Sequence, residues 1–265
     1  MTSSRRSFLK SGTIAAASAA LGGPLLHAAG GPTLGLIFPP LNYPIPPDAK
    51  RLYPNGIDFL PGGVGLPGGM TLAGYDEAIP RVLPVAEELA KQGAQVISVF
   101  GSSLTFYKGR KFHEDLIQKV TNLTGCAATT QSAGLLDGLR VAGAKRVAIA
   151  TAYTDVVTER LKIFLEEYGF EVTSAKGLGL VTIPEGAATG PILTRLGLES
   201  YANSKKADAL VMSCGALRTL DLIVPIESEI KVPVISSTPH GLMNGVRLLG
   251  VSPRSQGFGM VLSKA

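Results

Sequence analysis

The chain has 265 residues, 45% of them hydrophobic, enough apolar surface to bury a sizeable core in one large domain or two small ones. Its formal charge is +5, but Arg5, Arg6 and Lys10 lie in an N-terminal leader, so the remainder carries +5 − 3 = +2. A near-neutral body with no tryptophan and no basic cluster gives no electrostatic case for a nucleic-acid partner, and two cysteines do not make a disulfide framework.

Residues 1–29 read as an export signal. Ser4-Arg5-Arg6-Ser7-Phe8-Leu9-Lys10 matches the twin-arginine pattern in full, and a weakly apolar, alanine-rich stretch runs from Ile14 to Leu26. That stretch is too short and too rich in alanine and glycine to span a bilayer well. Cleavage is expected at Ala28 or Ala29, the mature protein is expected in the periplasm without stable membrane insertion, and the export machinery is its expected transient partner.

The next segment, TLGLIFPP (33–40), reads as a buried strand ending in prolines. Residues 41–74 form a long Pro/Gly loop, and a loop of that length in a compact domain is usually functional or disordered. Helical spacing runs from Tyr75 to Lys91, in conflict with Pro80 and Pro84. Strands and helices then alternate: strand 95–100, helix 112–125, short strand 126–130, helix 131–143, strand 146–151 and helix 154–169. The FEVTSAKGLG segment (170–179) leads into a strand-like or loop stretch, and a helix over about 191–205 and strands 209–214 and 232–237 follow. Continuously apolar strands separated by amphipathic helices predict an α/β fold with parallel sheets covered on both faces.

The pattern echoes itself. QVISVFGSSLTF and ALVMSCGALRTL both run strand, small polar residue, turn; LGLIFPP and VAIATAYTD also end strands at a turn. Two similar halves would bring four strand tips together, and open α/β sheets bind ligands beyond the carboxyl ends of their strands. This groups Pro39, Pro40, Ser102, Ser103, Tyr153, Cys214 and Gly215 around one cleft.

Cys214 is the leading candidate for chemistry. It ends a strand and precedes Gly215, where free amides would lower its pKa or hold an anion beside it. Ser102 and Ser103 serve equally as helix caps or as anion contacts, since both uses share one geometry. Tyr153 stands at a third tip, with Thr154 or Asp155 as the cap of the next helix. Cys126 begins its strand, away from the cleft, and reads as structural. His113, in a helix among charged residues, reads as surface; His240 follows a strand tip near the cleft, with its role left open. Beyond the expected leader, two isolated histidines and no paired cysteines do not compose a protein-bound metal site.

The segments LGLIFPP, KRLYP (50–54), GYD (74–76), GSSLTFYKG (101–109), ATAYTDVVTERL (150–161) and SCGALRTLD (213–221) together resemble the arylmalonate decarboxylases. These belong to the aspartate/glutamate racemase and maleate cis-trans isomerase superfamily. The resemblance spans about residues 33–260. It implies two similar α/β lobes with the active site between them, approximately 33–145 with the C-terminal segment, and 146–240.

Racemases and isomerases of that superfamily keep two cysteines. Here Gly101 occupies the first position and only Cys214 remains, the decarboxylase pattern. The resemblance implies a cofactor-free reaction on an α-substituted, aryl-type malonate. One carboxylate would sit in a cage made by the hydroxyls of Ser102, Ser103 and Tyr153 and by amides near Ser103 and Gly215. The other would leave as CO₂ from an apolar pocket lined by Pro39, Pro67, Met70 and Leu104. Cys214, as a neutral thiol, would protonate the resulting enediolate. Two departures stand out: Ser102 replaces the usual threonine of a Gly-Thr-Ser triplet, and Ala216 replaces a second glycine. Two other readings use the same residues. One is a racemase or cis-trans isomerase with an unrecognised second base; the other is a periplasmic binding protein for a small carboxylate.

Overall fold

The computed structural model describes residues 31–265, so the expected export signal lies outside the described residues. The first half runs β1 (Thr33–Phe38), α1 (Pro47–Leu52), β2 (Asp58–Gly63), α2 (Leu72–Ala78), α3 (Val82–Lys91), β3 (Val96–Val99), α4 (Ser102–Phe106), α5 (Gly109–Thr124), β4 (Ala127–Thr130) and α6 (Gln131–Ala142). The second runs β5 (Arg146–Tyr153), α7 (Asp155–Glu167), β6 (Glu171–Leu180), α8 (Gly190–Ala202), β7 (Ala209–Ser213), α9 (Leu220–Ile230), β8 (Val234–Ser236) and α10 (Ser237–Leu248).

Two parallel sheets result, in the orders β2-β1-β3-β4 and β6-β5-β7-β8. The orders are the same when the second set is renumbered from its own first strand. The internal echo therefore has a topological basis: β1 corresponds to β5, and β3 to β7. Helices cover both faces, which is why β3, β5 and β7 are almost wholly buried and carry unbroken apolar runs. Gly125 and Gly143 end α5 and α6 in the left-handed conformation that glycine adopts without strain.

Two expectations change. The 41–74 segment is not a continuous loop: it contains α1 and the edge strand β2. The sequence of β2, DFLPGG, lacks strand signals because an edge strand tolerates Pro61 and two glycines that a central strand would not. The helix expected over 75–91 begins at Leu72 and breaks. Pro80 sits in a short 3₁₀ turn, Ile79–Arg81, and Pro84 falls in the first turn of α3, where a missing amide is harmless. Helix α10 follows β8 with almost no linker and packs on α6 and against β3 and β4 of the first sheet. The chain thus crosses back, and α6 and α10 sit where the two halves meet.

Candidate active site

Four strand ends converge on one cavity of about 310 Å³. From the first sheet come Pro39 and Pro40 after β1, and Gly101, Ser102 and Ser103 after β3. From the second come Tyr153 at the end of β5, and Cys214 and Gly215 after β7. Two loops cover it, and they are topological counterparts: Leu66, Gly69 and Met70 follow β2, while Val181, Thr182 and Ile183 follow β6. The Met70 amide donates to the Val181 carbonyl at 2.6 Å, clipping one loop to the other. Gly69 makes this approach possible. Its φ is +66°, and a Cβ there would lie 2.7 Å from the Val181 oxygen. Phe38, Tyr43 and Phe100 complete a largely apolar wall.

Set into that wall is a small buried hydroxyl cluster. Ser102 Oγ lies 3.1 Å from both Tyr153 Oη and Ser237 Oγ. Ser237 Oγ also accepts from the Cys214 amide at 3.2 Å. Ser213 Oγ lies 3.4 Å from both serine hydroxyls, and in the Ser102–Ser237 and Ser102–Tyr153 pairs either oxygen can donate, so the cluster can turn a proton towards a bound oxyanion. Ser103 lines the cavity next to the fully buried Tyr75 hydroxyl. Burial pushes the Tyr153 and Tyr75 hydroxyls well above their ordinary range, so both are neutral donors.

Cys214 is 6% exposed, with its sulfur 3.8 Å from that of Met70. The strand-tip position suggested a lowered thiol pKa; the balance here is the reverse. Burial raises it, and the Ala216 amide, the Tyr153 hydroxyl and the Leu217 amide only partly offset that. The thiol is held protonated, which suits an acid and not a nucleophile or a resting base.

Of the residues expected to line the pocket, Pro67 and Leu104 do not. Pro67 is exposed, at the outer turn between Leu66 and Met70. Leu104 turns into the core below Gly101 and is fully buried. The expected surface histidine, His113, is buried between α5 and α7. Its ring nitrogens lie 2.8 Å from Tyr168 Oη and 2.7 Å from Thr130 Oγ1. His240 is buried too, does not line the cavity, and bonds through Nδ1 to the backbone of Ser236. Cys126 lies at the start of β4, half-buried, with its thiol donating to the Ala94 carbonyl at 3.1 Å.

Three contributors escaped the sequence. Ser237 had a usable signal, a hydroxyl directly after a strand, as at Ser102. Tyr43 and Gln131 had none; a tyrosine in a Pro-rich loop and a glutamine opening a helix are unremarkable until the fold brings them to the site.

Two lobes of identical strand order, with a single buried thiol facing hydroxyls across the cavity between them, define the racemase- and isomerase-like class of two-lobed α/β proteins. A maleate isomerase from Pseudomonas putida S16, solved with maleate, has this fold: TM-score 0.77 at 22% identity, covering 88% of this chain and 98% of its own. The family model described as arylmalonate decarboxylase matches residues 34–262. The arylmalonate decarboxylase of Bordetella bronchiseptica is 39% identical over 242 residues, 91% of this chain and all of that one. A solved glycine-to-cysteine, cysteine-to-serine double mutant of arylmalonate decarboxylase, in its liganded form, superposes with a TM-score of 0.84 at 39% identity, covering 88% of this chain and 100% of that chain. The chain belongs to the arylmalonate decarboxylase family.

Proposed function

We propose that this protein decarboxylates an α-substituted malonate to a chiral monoacid, using only its own side chains and amides. One observation carries the reading: a lone protonated thiol, Cys214, shares a largely apolar cavity with the hydroxyls of Ser102 and Tyr153, with Ser237 bonded to Ser102 behind them. One substrate carboxylate accepts hydrogen bonds from Ser102, Ser103 and Tyr153 and from amides at the Ser103 and Gly215 turns. The second carboxylate lies against the apolar wall formed by Pro39, Met70 and neighbours. Its bond to the α-carbon breaks, CO₂ leaves, and the bonding electrons pass into the caged carboxylate as an enediolate. Donors aimed at that growing charge stabilise the transition state, each by about 3 kcal/mol. Cys214 then gives its proton to the α-carbon from one face, and water reprotonates the thiolate.

The test is CO₂ release from a panel of α-aryl and α-alkyl malonates by the mature protein, with deuterium exchange at the α-carbon of the monoacids measured in parallel. Release with a single product enantiomer supports the reading. Exchange from both faces without CO₂ release would make it a racemase, and binding without turnover a carrier.

We infer export by the twin-arginine route from Ser4–Lys10. Replacing Arg5 and Arg6 together by lysine is expected to trap the protein in the cytoplasm. An unchanged periplasmic fraction on cell fractionation would count against it.

A further inference from the structure

Gln131, the first residue of α6, is fully buried at the meeting point of the two lobes, yet it does not line the cavity. Its Oε1 accepts from the Ser102 amide at 2.9 Å. That fixes the orientation of the side-chain amide, because an N–H can only meet the oxygen. Nε2 therefore points the other way and donates to Thr238 Oγ1 at 3.2 Å, and Thr238 in turn donates to the Gly215 carbonyl at 2.9 Å. The same amide lies flat against Gly215: a Cβ there would be 2.7 Å from Oε1 and 2.9 Å from Nε2. Every donor in this relay has one acceptor, so the chain of bonds has one direction.

We propose that Gln131 is a positioning residue for decarboxylation. It ties the Ser102 turn, which carries the hydroxyl cage, to the Cys214–Gly215 turn, which carries the proton donor, and so sets the distance between them across the lobe boundary. It also consumes the Ser102 amide, so the backbone donors left for a bound carboxylate come from Ser103 and from the turn at Gly215. The inference rests on the decarboxylase reading for its kinetic consequences, but the geometry it assigns does not.

Two substitutions test it. Gln131→Met fills the same space and removes both hydrogen bonds. With the thiol no longer held at reach of the enediolate, kcat is expected to fall about 10- to 100-fold, the scale of a small misplacement. KM should stay within about threefold, because the hydroxyl cage remains. Enantiomeric purity should also fall as water competes for the enediolate. Gln131→Glu is the conservative rescue. Protonated, it offers the same oxygen acceptor to Ser102 and an O–H donor to Thr238; ionised, it loses the donor. Its kcat should approach that of the parent at acid pH and fall as the carboxyl ionises, a limb absent from the parent profile. Unchanged kcat and enantiomeric purity in Gln131→Met, or a Gln131→Glu profile parallel to the parent's, would overturn the proposal.

If the parent releases no CO₂ from any malonate, the decarboxylase reading fails, and the geometry is read without turnover. In a Cys126→Ser background, Gln131→Met should change the rate at which iodoacetamide alkylates Cys214, and should speed hydrogen exchange at the Ser102 amide. If neither rate moves, the positioning role falls as well.

Discussion

Cys214 and Gly101 occupy equivalent places, the first residues beyond β7 and near the end of β3 in sheets of the same order. Only one carries an acid. Cys214→Ser should therefore lose about 10²–10⁴ in kcat with the fold retained, since a hydroxyl is a far weaker acid than a thiol. Cys126→Ser, which removes only a half-buried thiol bonded to the Ala94 carbonyl, should leave turnover nearly intact. Steady-state rates of the two variants decide it; the opposite ranking would mean the wrong cysteine was assigned.

Gly101→Cys asks about the other face of the planar intermediate. The new Cβ would lie 2.5 Å from Pro39 Cγ, so Pro39, itself a wall of the cavity, has to shift. The expected outcome is a slower decarboxylase whose product moves from one enantiomer towards a mixture, followed by chiral chromatography. A folded variant that still yields one enantiomer, with no α-deuterium exchange, would show that Gly101 does not face the substrate.

At the scale of elements, α6 and α10 approach closely because glycines face each other. A Cβ on Gly134 would lie 2.5 Å from the His240 carbonyl oxygen and 2.6 Å from the Gly241 Cα; one on Gly138 would meet the His240 ring. Backbone atoms cannot swing aside as a flexible side chain can. Gly134→Ala is therefore expected to destabilise the protein by about 3 kcal/mol through overpacking, although alanine is the better helix former. Gly190→Ala, at the start of α8, meets nothing nearer than 3.6 Å and should be neutral or slightly stabilising. Urea midpoints compare the pair, and equal midpoints would refute the packing argument. The same contact seats Gln131 and Thr238, so this interface supports the site as well as the fold.

For the whole molecule, the two buried histidines tie stability to pH. Burial is the main cause that lowers both His113 and His240 from 6.5 to about 4. In the unfolded chain both would protonate near 6.5, so between there and about 4 the unfolded state binds protons that the folded state refuses. Their contribution is complete above pH 6.5 and is lost as pH falls towards 4, at about 1.4 kcal/mol per pH unit for each. A domain with only 5–15 kcal/mol in hand should therefore weaken steeply over that window. Denaturation midpoints from pH 7 to 4 measure the slope, and the double variant His113→Gln, His240→Ala should flatten it. A slope equal to the parent's would mean the histidines are not its source.

Strong local signals along the chain made much of the fold legible before any packing was known. Central strands buried on both faces must be apolar throughout, so β1, β3, β5 and β7 could be read directly, and the turns that follow them gave Pro39, Ser102, Ser103, Tyr153 and Cys214. The repeat of strand-and-turn segments foretold two like lobes. The rest came only from how the elements pack, for three physical reasons. Edge strand β2 and the broken α2–α3 segment answer to pairing and to exact proline placement, which composition along the chain does not encode. Burial overrides chemical type: it turned His113 from an expected surface group into a neutral core bridge, and raised the Cys214 thiol that its amides would have lowered. And the groups that join the lobes lie far along the chain from Ser102: Gln131 and Thr238 are ordinary in sequence, and Ser237 shows only a hydroxyl after a strand. Ser237 and Thr238 reach Ser102 and Gln131 only because α10 returns across the molecule to pack on the first lobe.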